Sequence, residues 1–145
     1  MSETKREPSV SALLVGQYPE DRLLMHDVFR HLGWRLFEAQ NRKRALECLG
    51  RNPVHVVIAE SDVSGWSWKN LLDHLRRCVP SPQLIVASRT ADDSLWAEVL
   101  NVGGYDVLAQ PFNRDEVERV IAAARRHFDM PHRMLSRVYP TAGVA

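Results

Sequence analysis

An acidic residue ends the most apolar stretch of this 145-residue sequence. The segment VHVVIAE at 54–60 is almost entirely apolar before Glu60, a pattern that predicts a strand buried on both faces of a parallel sheet. Open α/β sheets carry out their chemistry just beyond the carboxyl ends of such strands. A carboxylate at this place can be a nucleophile, a metal ligand or a structural hydrogen-bond acceptor.

Other common reactive motifs are missing from the sequence. Neither the GxGxxG nor the P-loop pattern occurs, and Gly16 alone after an apolar segment is not a phosphate cradle. The G-x-S-x-G pattern of a nucleophile elbow is also absent. The six histidines are scattered without the spacing of a metal site, and Cys48 and Cys78 do not form a CxxC pair. These two thiols are expected to be reduced.

Five apolar segments alternate with five amphipathic segments, and short loops join them. The apolar segments predict strands at 11–15, 34–39, 54–60, 83–88 and 105–109. Helix boundaries are predicted by the capping residues Asn41 and Asn113 and by the stop residues Gly33 and Gly50. The alternation predicts a doubly wound α/β domain at 10–128, with a five-stranded parallel sheet, five helices and tails at 1–9 and 129–145.

The charge balance argues against several classes of partner. Lys plus Arg number 19 and Asp plus Glu number 18, whereas a dedicated nucleic-acid binder carries a strongly basic footprint. No apolar run approaches the roughly 20 residues of a membrane span, and the polar start of the chain lacks the apolar core of a signal peptide. We therefore predict a soluble cytoplasmic protein with no nucleic-acid or membrane partner.

The order of these segments resembles the receiver domain of two-component response regulators, which has a CheY-like, flavodoxin-like fold. LLVGQYPED resembles the opening strand and acidic turn, and VHVVIAESDVSGWSWKNLL resembles the third strand, acceptor loop and third helix. LIVAS resembles the fourth strand with its switch hydroxyl, and GGYDVLAQPF resembles the segment that carries Lys–Pro–Phe. The resemblance implies a site where an aspartate accepts a phosphoryl group with the help of Mg²⁺ and a lysine.

The residues that the resemblance maps onto this site differ from the family at most positions. The acidic pair is replaced by Gly16 and Gln17, the acceptor aspartate by Glu60 and the lysine by Gln110. Glu60 is then expected to be the lone carboxylate of a degenerate pocket, with Mg²⁺ binding and phosphoryl acceptance lost and no cofactor required. The pocket residues implied by the resemblance are Gly16, Gln17, Glu60, Ser88, Arg89 and Gln110.

Several roles stay open for Glu60 and its neighbours. Glu60 has three candidate roles: a mimic of phosphoaspartate, a structural carboxylate bonded by Gln17, Ser88 or backbone amides, or a solvated side chain at the rim of the pocket. Arg89 either pairs with Glu60, which would balance its charge in place of the missing lysine, or points to water. Asp62 is a conceivable substitute acceptor two residues beyond the strand.

The favoured interpretation is a stand-alone pseudo-receiver that is not an enzyme and signals by protein–protein contacts. Its partner would be a histidine kinase, a response regulator or a second copy of itself. Trp66 and Trp68 would pack under the acceptor loop, plug the site or anchor a partner. Two alternatives remain: a phosphorelay receiver with an atypical acceptor, and a small flavodoxin-like ligand-binding protein. The partner surface is assigned to Trp96, Val107 and Phe112.

Overall fold

The computed structural model describes residues 9–17, 19–61 and 66–129. Strands and helices alternate strictly along this part of the chain. No helix within these ranges is long and apolar enough to cross a membrane. The strands are β1 (Ser11–Val15), β2 (Arg35–Ala39), β3 (Val56–Glu60), β4 (Gln83–Ser88) and β5 (Asp106–Ala109). The helices are α1 (Pro19–Leu32), α2 (Arg42–Arg51), α3 (Trp68–Arg76), α4 (Asp93–Asn101) and α5 (Arg114–Phe128).

All five strands are parallel and form one sheet in the order β2-β1-β3-β4-β5. The predicted fold class, a doubly wound five-stranded parallel sheet with five helices, is confirmed. The chain leaves β1 towards β2 on one side, and the later strands add on the other side. This change of direction opens a crevice at the carboxyl ends of β1 and β3, where ligands bind in folds of this kind.

Two apolar cores cover the two faces of the sheet, because successive strand residues point to opposite sides. Leu14 and Ile58 face the core under α1 and α5, whereas Leu13 and Val57 face the core under α2, α3 and α4. Every residue of β3 is buried, as its apolar sequence predicts. Glu60 is the last residue of this central strand, so the fold carries a carboxylate to the floor of the crevice.

Side chains at the helix ends explain most of the boundaries. Asn41 and Asn113 accept hydrogen bonds from the backbone N–H groups of Arg44 and Glu116, both at 3.0 Å, as N-cap residues do. Gly33 ends α1 with a φ of 71°, a left-handed conformation that glycine adopts without strain. Gly50 does not end α2, which continues to Arg51. The start of β3 is also later than predicted, at Val56.

His55 supports the amino end of the sheet in its neutral form. The backbone N–H of Ser11 donates to its Nδ1 at 3.0 Å, and its ring packs edge-on against Phe128 with centroids 5.0 Å apart. Burial and, to a smaller extent, the charge of Arg125 hold the pKa of His55 below its usual 6.5, against an opposing effect of Asp129. Protonation at Nδ1 would also remove the acceptor that the N–H of Ser11 uses.

Acidification should therefore lower the stability through His55. Because its pKa is lower in the folded than in the unfolded state, the unfolded chain binds this proton first as the pH falls below about 6.5. The urea midpoint should fall from about pH 8 to about pH 5, and His55→Asn, which keeps an acceptor but does not titrate, should flatten the curve. Equal pH dependence in both proteins would contradict this role of His55.

Candidate functional site

The carboxylate of Glu60 lies inside the crevice and is held at both oxygens. Glu60 is 5% exposed. Its Oε1 accepts a hydrogen bond of 2.7 Å from the backbone N–H of Gln17, which follows β1. Its Oε2 accepts one of 2.8 Å from Nε2 of Gln110, which follows β5. Hydrogen bonds to a charged acceptor are among the stronger ones in proteins, so this side chain is fixed rather than solvated.

Gly16 makes the room that Glu60 occupies. A Cβ atom at position 16 would fall 2.2 Å from Oε1, 2.3 Å from Cδ and 2.7 Å from Cγ of Glu60. These separations are far shorter than the 3.5–4.0 Å of a favourable contact between carbon atoms. The long side chain at residue 60 and the missing side chain at residue 16 are therefore one steric unit, and the carboxylate lies against the backbone of the β1–α1 turn.

A second carboxylate shares the pocket, and the expectation that Glu60 is alone there is wrong. Asp21, in the first turn of α1, is 5% exposed. Its Oδ2 accepts a hydrogen bond of 2.7 Å from Nε2 of Gln110, and its Oδ1 accepts one of 3.1 Å from the backbone N–H of Phe112. The formal charge of the described pocket is thus −2 rather than −1.

The helical pattern of α1 contains a signal for Asp21. Its buried residues are Asp21, Met25, Val28 and Phe29, which follow the i, i+4, i+7, i+8 spacing of one helix face. The apolar residue Leu23 lies off this face and is 71% exposed. An acidic residue in the first turn of a helix is favourable even when it lies on the surface. On the buried face of α1, however, the acid is directed at the ends of the neighbouring strands.

Gln110 joins the two carboxylates at the centre of the pocket. Its Nε2 donates to Asp21 and to Glu60, which accounts for both hydrogens of the amide. Gln110 is 7% exposed, so these bonds are made away from water. A lysine at this position would bring a positive charge between the acids, but the carboxamide brings donors alone. The pocket is thus closed by hydrogen bonds among β3, α1 and the segment after β5.

Comparison with known proteins agrees with this fold. A family model described as the response regulator receiver domain matches residues 12–122. The chain belongs to this family. The receiver domain of an HD domain-containing protein from Pseudomonas fluorescens Pf-5 superposes with a TM-score of 0.74 at 23% identity, covering 84% of this chain and 98% of that one.

Two further relatives extend the comparison. The transcriptional regulatory protein KdpE of Mycobacterium tuberculosis is 30% identical over 96 residues, which are 66% of this chain and 42% of that protein. The chain therefore spans less than half the length of this curated relative. A co-crystal structure of a histidine phosphotransfer signaling protein with the receiver domain of its downstream response regulator, from Saccharomyces cerevisiae, gives a TM-score of 0.70 at 13% identity, covering 80% and 88% of the chains.

Ser88, which the resemblance maps onto the switch position of the family, forms hydrogen bonds with Thr90. Ser88 is 4% exposed; its Oγ accepts from the backbone N–H of Thr90 at 3.1 Å and lies 3.2 Å from the Thr90 hydroxyl. Among the contacts proposed for Glu60, the structure has the backbone amide of Gln17 rather than Ser88. Arg89 is exposed, and its pairing with Glu60 stays a prediction. Asp62 lies outside the described residues.

The pocket as built does not fit Mg²⁺, the ion that the receiver family uses. Mg²⁺ requires a near-octahedral set of oxygen ligands. Here position 16 has no side chain, and the amide of Gln17 is turned away to donate to the carbonyl of Gln40 at 3.3 Å. The amide nitrogen of Gln110 lies between the two carboxylates. Within the described ranges, no group of three or more His, Cys, Asp or Glu side chains is placed to hold a metal.

The residues assigned to a partner surface do not all lie on the surface of the receiver domain. Trp96 on α4 is 50% exposed, and its Nε1 donates to Oδ1 of Asp106 at 3.3 Å. Val107 is half-buried and, together with Trp96 and Glu116, lines a groove formed by α4, β5 and α5. The placement of Phe112 is wrong, because its ring packs into the core under α1 and α5 and it is 9% exposed. Trp66 and Trp68 are buried and pack in the core under α2–α4.

Proposed function

We propose that this response regulator receiver domain signals by protein–protein contacts and does not accept a phosphoryl group at residue 60. The observation that supports this most strongly is the position of the Glu60 carboxylate against Gly16, with one hydrogen bond at each oxygen. A carboxylate that attacks phosphorus must present an oxygen in line with the leaving group. Attack by Glu60 would break the bond from Gln17 or the bond from Gln110.

The electrostatics of the pocket support the same conclusion. In phosphoryl transfer, cations stabilise the charge on the phosphoryl oxygens. Asp21 and Glu60 contribute two negative charges, and Gln110 contributes none. A phosphoryl group entering here would meet two carboxylates and a neutral amide, so its negative charge would be opposed rather than offset.

Under this proposal Glu60 is a structural carboxylate that holds the carboxyl end of the sheet in one conformation. It links β3 to the turn after β1 and, through Gln110, to α1. The surfaces around the pocket are then fixed without a phosphorylation cycle, and regulation comes from the partner. Receiver domains act on protein partners, and a histidine kinase, a response regulator or a second copy of the chain remain the candidate classes. A non-enzymatic, cytoplasmic role is part of the same proposal.

Intact mass after incubation with Mg²⁺ and acetyl phosphate tests the proposal. The chain should show no added phosphoryl mass and no Mg²⁺-dependent change in tryptophan fluorescence. As a matched comparison, the variant Gly16→Asp/Gln17→Asp/Glu60→Asp/Gln110→Lys restores the acids, the acceptor and the lysine of the family. We expect this variant to gain the mass of one phosphoryl group, which shows that the conditions permit transfer.

A phosphorylated wild-type chain would contradict the proposal, and two variants would then locate the acceptor. Loss of the added mass in Glu60→Gln would assign acceptance to Glu60 itself. Loss in Asp62→Asn alone would assign it to the residue two positions further along the chain. Binding of a flavin or nucleotide, seen as a fluorescence change without added mass, would instead favour the ligand-binding alternative.

A further inference from the structure

The first turn of α2 is basic, although basic residues are unfavourable at the N-terminus of a helix. Arg42, Lys43 and Arg44 are consecutive and exposed, and no acidic residue accompanies them there. A helix N-terminus carries a positive partial charge, so cations in the first turn oppose it. By contrast, α1, α4 and α5 all carry acidic residues in their first turns, whereas α3 has none. This basic triplet therefore weakens the helix it belongs to, which favours a role outside the stability of the fold.

The positive charge extends from the triplet along the groove between α2 and α3. The guanidinium of Arg42 lies 5.8 Å from the centre of the Trp66 ring, and Arg77 lines the same groove, which has a volume of about 200 Å³. Asp73 is the one acidic residue among those that line it. The edge of the domain that carries α2 is thus predominantly basic.

The opposite edge of the domain carries an acidic groove around an exposed aromatic ring. The groove has a volume of about 370 Å³, and Trp96, which lines it, is 50% exposed. Three of its lining residues are acidic and none is basic. An exposed indole flanked by carboxylates suits a guanidinium or ammonium group, which can pair with the acids and stack on the ring. The lining residues are Ala91, Asp92, Asp93, Trp96, Val107, Ala109 and Glu116.

The sheet order places these two surfaces on opposite sides of one molecule. β2 and β5 are the edge strands; α2 packs on β2, and α4 packs on β5. The basic triplet and the acidic groove also lie at the same height, because α2, α4 and α5 all begin at the carboxyl end of the sheet. A second copy, shifted sideways in the same orientation, brings its basic edge against the acidic groove of the first.

We propose that this chain associates with copies of itself head to tail, with the basic triplet of one copy in the acidic groove of the next. Such an interface joins two different surfaces, so a row of copies has an unused basic triplet at one end and an unused acidic groove at the other. Growth therefore continues into a row, or closes if the rotation per copy permits. The inference names a partner for contact-based signalling and in that respect rests on the proposed function. The test of this inference measures self-association, whereas the test of the proposed function measures phosphorylation, so one of the two proposals can fail while the other holds.

Sedimentation velocity over a range of protein concentrations and salt tests the proposal. The wild-type chain should form dimers and larger species at about 0.1 M NaCl and dissociate towards about 1 M, where the screening length falls from about 10 to about 3 Å. Arg44→Glu should weaken association by at least about tenfold, because it sets like charges against each other. Arg30 is exposed on α1, which covers the other face of the sheet. Arg30→Glu therefore makes the same charge reversal away from the proposed interface and should leave association unchanged.

Mixing two charge-reversed variants distinguishes the head-to-tail arrangement from other dimers. Lys43→Glu/Arg44→Glu retains the acidic groove, and Asp93→Lys/Glu116→Lys retains the basic triplet. Each should be monomeric alone, and an equimolar mixture should associate again. The first variant should also keep or raise its melting temperature, because acids suit a helix N-terminus, so loss of association cannot be ascribed to unfolding.

Four results would overturn the proposal. The first is a wild-type chain that stays monomeric at low salt over the whole concentration range. The second is association that persists in Arg44→Glu, which would place the interface elsewhere. The third is a mixture of the two double variants that stays monomeric. Binding of a DNA oligonucleotide that is lost in Arg44→Glu, without self-association, would overturn it in favour of a nucleic-acid role for the triplet.

Discussion

Replacing Gly16 with alanine should lower the free energy of unfolding by about 2–4 kcal/mol, because overpacking and lost hydrogen bonds add together. The new methyl group would overlap Oε1, Cδ and Cγ of Glu60, at 2.2–2.7 Å. The carboxylate must then leave its place and give up the bonds from Gln17 and Gln110. The bond from Gln110 is buried, so no water replaces it at once, whereas the bond from Gln17 is only partly buried. Urea unfolding monitored by circular dichroism measures the loss.

A matched glycine and a double-mutant cycle isolate the cause. Gly50 lies in α2 and a Cβ there would meet nothing within 4 Å, so Gly50→Ala should be neutral or stabilise by up to about 1 kcal/mol. In a Glu60→Ala background, Gly16→Ala has no carboxylate to displace and should cost little. The coupling between the two sites should then exceed about 1 kcal/mol. Equal costs of Gly16→Ala in both backgrounds would show that Glu60 is not the obstacle.

Replacing Gln110 with methionine should lower the free energy of unfolding by about 3–5 kcal/mol, the range found when buried charges lose their partner. Methionine has a similar length but no hydrogen to donate. Asp21 and Glu60 would each lose a bond, and two buried negative charges would face each other without a donor between them. The backbone N–H groups of Gln17 and Phe112 still bond one oxygen of each acid. Thermal and urea unfolding at neutral pH measure the change.

Two further variants test whether the amide hydrogens are responsible. Gln17 is exposed and meets Glu60 through its backbone only, so Gln17→Met makes the same substitution beside the same pocket and should change stability by less than about 0.5 kcal/mol. Gln110→Lys retains a donor and adds a positive charge, so it should be at least as stable as the wild type. If Gln110→Lys were as unstable as Gln110→Met, packing rather than donation would explain the loss.

Much of the fold could be predicted because its signals are local. The apolar segments 11–15 and 83–88 need no information beyond their own residues, and both strands have the predicted bounds. The caps at Asn41 and Asn113 likewise depend on a backbone N–H three residues away. The start of β3 is harder to predict, because the apolar segment begins at Val54 but the paired residues of β3 begin only at Val56. His55 already exchanges backbone hydrogen bonds with Ser11 and Gln83, so the boundary is not marked by a change in its neighbours.

The site is less predictable because its contacts join residues far apart in the chain. Gln110 donates to Asp21 across 89 residues and to Glu60 across 50, and no local pattern encodes either pairing. Asp21 suits the charge preference of a helix start, which does not require burial, but its spacing with Met25 and Val28 places it on the buried face. Phe112 is predicted to belong to the partner surface, but it is 9% exposed and the bond from its N–H to Asp21 fixes this segment against α1.

The fit between Gly16 and Glu60 constrains the order in which this pocket can change during evolution. A lineage with any side chain at position 16 has no space for the Glu60 carboxylate where it now lies. The glycine must therefore appear before the glutamate can settle in this position. The return path has the opposite order, since residue 60 must shorten before position 16 can regain a side chain. Each intermediate lacks part of the present bonding, so the two positions can change only in a fixed order in either direction.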